Sequence, residues 1–217
     1  MTIRILLSDD HEIVREGFRA LIERQDDMEI IAETADGREA VAQAVRQKPD
    51  VVVLDIGLPG LNGIDAARQI LDQCPHIKII ALSVHQETRY VTEMLKAGAS
   101  GYLVKTCAFG ELIQAIHAVV ANETYLSSKV AATVVDQALN PGADSDQQAP
   151  TSALSSRERE VLQLLVEGKS SKEIANCLDV TTRTVDLHRQ NVMKKLELYS
   201  VAELTKYAIR TGMTSLD

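Results

Sequence analysis

The sequence has little cysteine and no long apolar segment. Its three cysteines, Cys74, Cys107 and Cys177, are odd in number and far apart, so we expect no disulfide framework and a reducing compartment. No apolar run approaches the roughly 18 residues of a membrane span. Residues 1–10 lack the apolar core and small-residue cleavage site of a secretory signal. We therefore expect a soluble, cytoplasmic protein with no membrane contact.

Positive charge is also in deficit, but unevenly. The net charge of the 217 residues is −8, with 13 Lys+Arg against 20 Asp+Glu in residues 1–140 and 10 against 9 in residues 151–217. A net negative charge alone argues against nucleic-acid binding. Because the acidity belongs to the first part, it does not exclude a basic face in the second. The length favours two domains over one.

Short β-branched runs alternate with helical patterns through the first 121 residues. Five strands alternating with five helices are typical of an α/β, doubly wound (flavodoxin-like) domain with a parallel sheet. The near-continuous apolar strands support this, because such strands are covered on both faces. The expected strands are 3–7, 28–34, 51–55, 77–83 and 101–105. The first expected helix begins near residue 12, and the other four cover 38–47, 64–74, 86–96 and 109–121.

The alternation stops after residue 122, so we predict a first domain at 1–122 and a linker at 123–150. The linker has room for a short helix at 127–139, followed by a segment rich in proline, glycine and small polar residues. Residues 151–217 predict a small all-α domain. Two of its helices are expected to begin with capping boxes, at Ser155–Glu158 and Ser170–Glu173. Two more are expected at 182–196 and 201–209.

Polar side chains cluster at the carboxyl ends of the predicted strands. Asp9 and Asp10 follow the first strand, Asp55 ends the third, Ser83 the fourth and Lys105 the fifth. These ends form the ligand-binding edge of an open α/β sheet. Clustered carboxylates repel unless a cation lies among them, and Mg²⁺ prefers such oxygen ligands. Asp55 then becomes a candidate nucleophile toward phosphorus.

Each of these residues also has an ordinary interpretation. Asp9 alone could cap the following helix, and Lys105 alone could be a solvated lysine. The joint placement at one edge favours the functional interpretation.

Residues 1–121 resemble the receiver domain of two-component response regulators. The similarity lies in SDDH, VVVLDIGLPGLNGID, ALS and GYLVK. It implies that a sensor histidine kinase phosphorylates Asp55. It also implies that Asp9, Asp10 and Asp55, with the backbone carbonyl of Gly57, bind Mg²⁺. The further implied roles are a switch pair, Ser83 and Tyr102, and a phosphoryl contact, Lys105.

Residues 172–196 have the spacing of a helix-turn-helix, whose second helix enters the DNA major groove. The helical period places Val185, His188, Val192 and Leu196 inward. The same period places five candidate base-contacting residues outward: Arg183, Asp186, Leu187, Gln190 and Lys194. Candidate phosphate contacts are Arg189, Lys195 and the hydroxyls of Thr181, Thr182 and Thr184. The alternative is an amphipathic helix with a solvated face.

Residues 151–212 resemble the output domain of the NarL/FixJ (LuxR-type) regulators, through LSSREREVLQLLVEGKSSKEIA and VTTRTVDLHRQNVMKKL. The resemblance implies a DNA-binding four-helix unit with a dimer contact at Val201, Leu204 and Ala208. Many members carry a basic residue where this chain has Asp186, whose carboxylate can accept a hydrogen bond from cytosine N4. The implied partners are promoter DNA, a second copy of the chain and RNA polymerase.

A phosphorylation-controlled transcription factor is the leading hypothesis. A phosphatase that uses an aspartate nucleophile is disfavoured, because such enzymes usually carry a second aspartate where this chain has Gly57. A phosphorylation-dependent docking protein remains the third alternative, and Arg183 and Lys194 argue mildly against it.

Overall fold

The computed structural model describes residues 2–84, 88–139 and 154–214. These residues form two compact units, each with its own apolar core. Across the described ranges, no helix combines the length and the apolar character needed to cross a membrane.

The described part of the N-terminal unit contains a six-stranded sheet in which every neighbouring pair is parallel. The predicted parallel α/β architecture is confirmed, with one strand more than expected. The spatial order of the strands is 2-1-3-4-5-6. The strands are β1 (Ile3–Ser8), β2 (Met28–Thr34), β3 (Val51–Asp55), β4 (Lys78–Ser83), β5 (Gly101–Val104) and β6 (Tyr125–Leu126).

Helices cover both faces of this sheet, as its buried apolar strands require. The predicted fourth helix begins at 86, but residues 85–87 lie outside the described residues. The fifth helix begins earlier than predicted, so Lys105 is its first residue and not the end of a strand. The helices are α1 (Glu12–Ile22), α2 (Gly37–Gln47), α3 (Gly63–Gln73), α4 (Thr88–Lys96), α5 (Lys105–Val120) and α6 (Ser128–Leu139).

The early start of α5 follows from its inward face. Ala108 and Leu112, four residues apart, are both fully buried in the core, so the face that packs on the sheet begins before residue 109. Alanine is a weak signal of burial in a sequence, and the prediction missed it.

The N-terminal unit extends past residue 122, where the prediction ended it. β6 pairs with β5 through Gly101 and Tyr125, and α6 contacts α4 and β5. A strand of two residues is too short for periodicity to reveal. The first part of the expected linker is therefore structured, and residues 140–150 lie outside the described residues.

The C-terminal unit consists, in its described residues, of α7 (Ser156–Val166), α8 (Ser171–Leu178), α9 (Thr182–Leu196) and α10 (Val201–Arg210). Both predicted capping boxes are present, and Ser200–Glu203 forms a third at the start of α10. Asp179 adopts a left-handed φ of 51° after α8, which turns the chain toward α9. This is the expected helix-turn-helix.

Candidate functional site

Asp9 and Asp55 lie side by side at the carboxyl edge of the sheet. β1 and β3 pair with Ser8 opposite Leu54, so the next residue of each strand reaches the same level. Both aspartates are buried, with relative exposures of 0% and 4%. One side-chain ligand atom from each of Asp9, Asp10, His11 and Asp55 lies within 4.8 Å of the others. The structure therefore brings together the three carboxylates that the sequence predicted.

The ammonium group of Lys105 bridges two of these carboxylates. Its Nζ lies 2.8 Å from Oδ2 of Asp9 and 2.8 Å from Oδ2 of Asp55. Burial raises the pKa of Asp55 to about 6; the charge of Lys105 lowers this pKa and that of Asp9 raises it. Burial lowers the pKa of Lys105, but Asp55 and Asp9 outweigh this effect and the net shift is upward. A single ammonium thus leaves excess negative charge in the pocket.

His11 and Arg15 also contact this cluster, and neither was predicted from the sequence. The backbone N–H of His11 donates to Oδ1 of Asp9 at 2.9 Å, and its Nδ1 lies 2.7 Å from Oδ1 of Asp10. The guanidinium of Arg15 donates to the backbone carbonyl of Asp9. His11 follows the acidic pair directly in the sequence, which was the available signal. Arg15 gave none, because its partner is a main-chain atom.

The loop after Asp55 requires glycine at its end. A Cβ on Gly63 would lie 2.2 Å from the backbone oxygen of Asp55, so only glycine lets α3 begin so close to β3. Gly57 donates its N–H to Oδ1 of Asp55 at 3.2 Å. A Cβ on Gly57 would lie 3.8 Å from Oδ2 of Asp55, so a side chain at this position would be in van der Waals contact with the carboxylate.

Ser83 and Tyr102, the expected switch pair, are both buried. Ser83 ends β4 and pairs with Val104, next to Lys105. It therefore lies at the same edge as Asp55. Tyr102 lies further from the edge, opposite Ala81, and its backbone carbonyl accepts a hydrogen bond from the N–H of Ser127 at 3.1 Å.

Helix α9 has the two faces that its sequence predicted. Val185, Val192 and Leu196 are buried, and His188 is half-buried. Thr184 and Arg189 are half-buried as well. The exposed candidates for DNA contact are Thr181, Thr182, Arg183, Asp186, Leu187, Gln190, Lys194 and Lys195.

Two of these exposed residues have partners in other helices of the unit. The carboxylate of Asp186 accepts a hydrogen bond from the hydroxyl of Ser171 at 2.9 Å, which links α9 to the start of α8. Nζ of Lys195 lies 2.7 Å from Oε2 of Glu158, a buried member of the α7 capping box. Lys195 therefore joins α9 to α7, a contact that its distance in sequence concealed.

The expected dimer contact needs correction. Leu204 and Ala208 are fully buried in the core of their own unit, where a second copy of the chain cannot reach them. Val201 is exposed and is the one member of the expected set that remains a candidate. The apolar stripe of α10 is covered by this chain's own helices.

Comparison with protein families gives two matches. Residues 5–117 match the response regulator receiver domain, and residues 152–208 match the bacterial regulatory proteins of the luxR family. The two matches fall on the two compact units. Each contains the predicted site of that unit.

Two named regulators match this chain over nearly their full length. The oxygen regulatory protein NreC of Staphylococcus epidermidis is 37% identical over 212 residues, which are 96% of this chain and 97% of that protein. The response regulator GacA of Pseudomonas protegens is 35% identical over 211 residues, 97% of each chain.

Solved structures of two regulators resemble this chain in fold. A LuxR-family two-component response regulator from Aurantimonas sp. SI85-9A1 is 39% identical, with a TM-score of 0.62 over 64% of this chain and 100% of that one. RcsB of Salmonella typhimurium, at 23% identity, shares the fold, with a TM-score of 0.59 over 95% of this chain and 97% of that one. The chain therefore belongs to those response regulators in which a receiver domain is joined to a DNA-binding domain of the luxR family, a group of transcription regulators.

Proposed function

We propose that a sensor histidine kinase phosphorylates Asp55 and that this phosphorylation controls dimerisation and DNA binding by the C-terminal unit. The observation that carries the proposal is the environment of Asp55. Its carboxylate is buried at the end of β3, 2.8 Å from an ammonium and beside two further carboxylates. Such a group has the raised pKa and specific charge partners that are characteristic of reactive positions.

The acidic pocket fits Mg²⁺. Three carboxylates converge there beside one ammonium, and burial, together with the charge of Asp9, raises the pKa of Asp55. Asp9, Asp10, Asp55 and the backbone carbonyl of Gly57 would hold the ion. When bound, Mg²⁺ supplies positive charge that offsets the phosphoryl oxygens.

The chain's own residues account for the transfer of the phosphoryl group to Asp55 and for its retention there. An Oδ atom of Asp55 forms a bond to phosphorus while the bond from phosphorus to the kinase histidine breaks, and that nitrogen keeps the electron pair. Lys105 Nζ already contacts Asp55 and remains within reach of the new phosphoryl oxygens, a charge-assisted pair. Ser83, at the same edge, donates a hydrogen bond to them.

A shift of Ser83 and Tyr102 would carry the signal along the chain. The backbone of Tyr102 is hydrogen-bonded to Ser127, immediately before α6, and α6 contacts α4. Rearrangement of β4, α4 and β5 would therefore displace α6, whose end leads to the C-terminal unit. Phosphate adds a charge of about −2 at pH 7, enough to bias such a two-state element.

The C-terminal unit would bind promoter DNA through the outward face of α9, with RNA polymerase as a further partner at the promoter. Arg183 and Lys194 are exposed on this face, and the hydroxyls of Thr181 and Thr182 lie at its start. These groups suit contacts to bases and phosphates. A regulator with these partners would act in the cytoplasm.

Phosphorylation can be tested with a radiolabelled phosphodonor, such as the autophosphorylated cognate kinase, and Mg²⁺. We expect label in the wild-type chain, none in Asp55→Asn, and undiminished label in Asp72→Asn, a matched change at an exposed aspartate of α3. Full labelling of Asp55→Asn would refute the assignment. Continuous release of phosphate from small phosphoesters would instead favour the phosphatase alternative.

DNA binding can be tested by selecting duplexes from random DNA with the full chain, with and without phosphodonor. We expect a two-fold symmetric consensus, tighter binding after phosphorylation, and affinity that falls steeply as salt rises. Absence of any selected sequence in both states would refute this part of the proposal.

A further inference from the structure

The exposed face of α9 contains one large apolar side chain. Leu187 is 56% exposed, whereas Val185, Val192 and Leu196, the other valine and leucine residues of this fully described helix, are buried. A single exposed leucine is common on protein surfaces. Its position among the candidate DNA contacts is the informative feature.

Leu187 lies in the middle of a polar stripe. At about 100° of rotation per residue, Arg183, Leu187, Gln190 and Lys194 fall on one line along the helix. Leu187 has Arg183 one turn before it and Gln190 one turn after it. More than half of Leu187 is exposed, so its apolar side chain suits a partner that presents an apolar group between polar ones.

The neighbouring Asp186 narrows the choice of partner. The Ser171 hydroxyl holds its carboxylate at 2.9 Å, fixed on the surface beside Leu187. A carboxylate repels phosphates but can accept hydrogen bonds from the amino group of cytosine. This part of α9 is therefore suited to base edges and not to the DNA backbone. The apolar group on base edges in the major groove is the 5-methyl of thymine.

We infer that Leu187 packs against the 5-methyl group of a thymine in the DNA half-site and makes the protein selective for that base. The inference rests on the proposed DNA-binding function. Leu187 is a specificity-determining residue in this assignment, with Arg183 and Gln190 contacting bases on either side.

The test uses the full chain and the duplex that it selects from random DNA. Each thymine in a half-site is replaced in turn by deoxyuridine, which removes only the methyl group. We expect one position where the replacement weakens binding about fourfold, the value for losing one buried apolar carbon. Leu187→Ala should weaken binding to the thymine duplex at least as much, and the same deoxyuridine replacement should then cause no further loss.

Val120→Ala is the matched control, since Val120 is an exposed apolar residue at the end of α5. It should keep the full response to deoxyuridine. A consensus that tolerates deoxyuridine at every position, or a Leu187→Ala chain with the wild-type response, would overturn this inference and leave the DNA-binding proposal intact. Failure to select any sequence would overturn both.

Discussion

Nζ of Lys105 lies 2.8 Å from Oδ2 of Asp55 and equally close to Oδ2 of Asp9. The ammonium is thus the positive charge that lies between two buried carboxylates. Its removal should raise the pKa of Asp55 above the value of about 6 that it has with Lys105 in place, because the ammonium would no longer offset burial and the charge of Asp9.

The measurement is a carbon-detected NMR titration of the aspartate carboxyl groups in metal-free protein. Lys105→Gln should raise the pKa of Asp55. Lys96→Gln, which changes a lysine of α4 paired with Glu93, should leave it unaltered. An unchanged or lower pKa in Lys105→Gln would show that this ion pair does not control the charge of Asp55.

Asp55 also predicts how stability depends on pH. Its pKa is raised from 3.8 to about 6 on folding, so the folded state favours the protonated form. Its contribution to stability is present below pH 4 and is lost as the pH rises through 6, by at most about 3 kcal/mol.

Urea unfolding of metal-free wild type and Asp55→Asn measures this contribution. The stability of the wild type relative to the variant should fall between pH 4 and pH 7. Saturating Mg²⁺ should restore the stability of the wild type at pH 7. It should have a much smaller effect on the stability of the variant, because the variant has lost a carboxylate ligand. A stability difference that is independent of pH would contradict the raised pKa.

The sequence predicted what is local or strongly periodic. The carboxylates of Asp9 and Asp55 follow apolar strands, and parallel strands place their carboxyl ends at one edge. The capping boxes depend only on residues three apart. Predicting these features therefore does not require knowing which residues distant in sequence lie nearby in the fold.

The sequence could not reveal which distant element covers a given face. The apolar stripe of α10 fits a dimer contact as well as an internal core, and only the fold shows that Leu204 and Ala208 are internal. The partners of Asp186 and Lys195 are 15 and 37 residues away. No spacing rule connects them, because the connection depends on how three helices pack.

Gly63 should tolerate no side chain. A Cβ there would lie 2.2 Å from the backbone oxygen of Asp55, so Gly63→Ala must displace the start of α3 or the end of β3. We expect a loss of several kcal/mol in stability, in the upper range for single substitutions, together with slower phosphorylation of the folded protein.

Gly110→Ala provides the control, because a Cβ on Gly110 in α5 meets nothing within 4 Å. Alanine in the interior of a helix should stabilise the protein by roughly 0.5–1 kcal/mol. Thermal unfolding of both variants checks the contrast. Equal stability of the two would mean that the turn after Asp55 relaxes freely.

Lys194 and Lys195 are adjacent in sequence but should have different roles. Lys195 pairs at 2.7 Å with Glu158, a buried residue. Burial raises the pKa of Glu158, but Lys195 and Ser155 outweigh this and lower it overall. Lys195→Ala should therefore destabilise the C-terminal unit by about 1–3 kcal/mol at neutral pH, because a buried carboxylate loses its ammonium partner and keeps only the hydrogen bonds with Ser155.

Since the pKa of Glu158 is lowered on folding, this contribution is present above about pH 4.5 and is lost as the pH falls through the folded-state pKa. The difference in unfolding free energy between wild type and Lys195→Ala should thus shrink in acid.

Lys194 is exposed on the outward face, and Lys194→Ala should leave stability unchanged. It should instead weaken DNA binding and reduce its dependence on salt, because a positive charge on the DNA-facing stripe is removed. If both variants lost stability alike, the division of α9 into a packed edge and a DNA-facing stripe would be wrong.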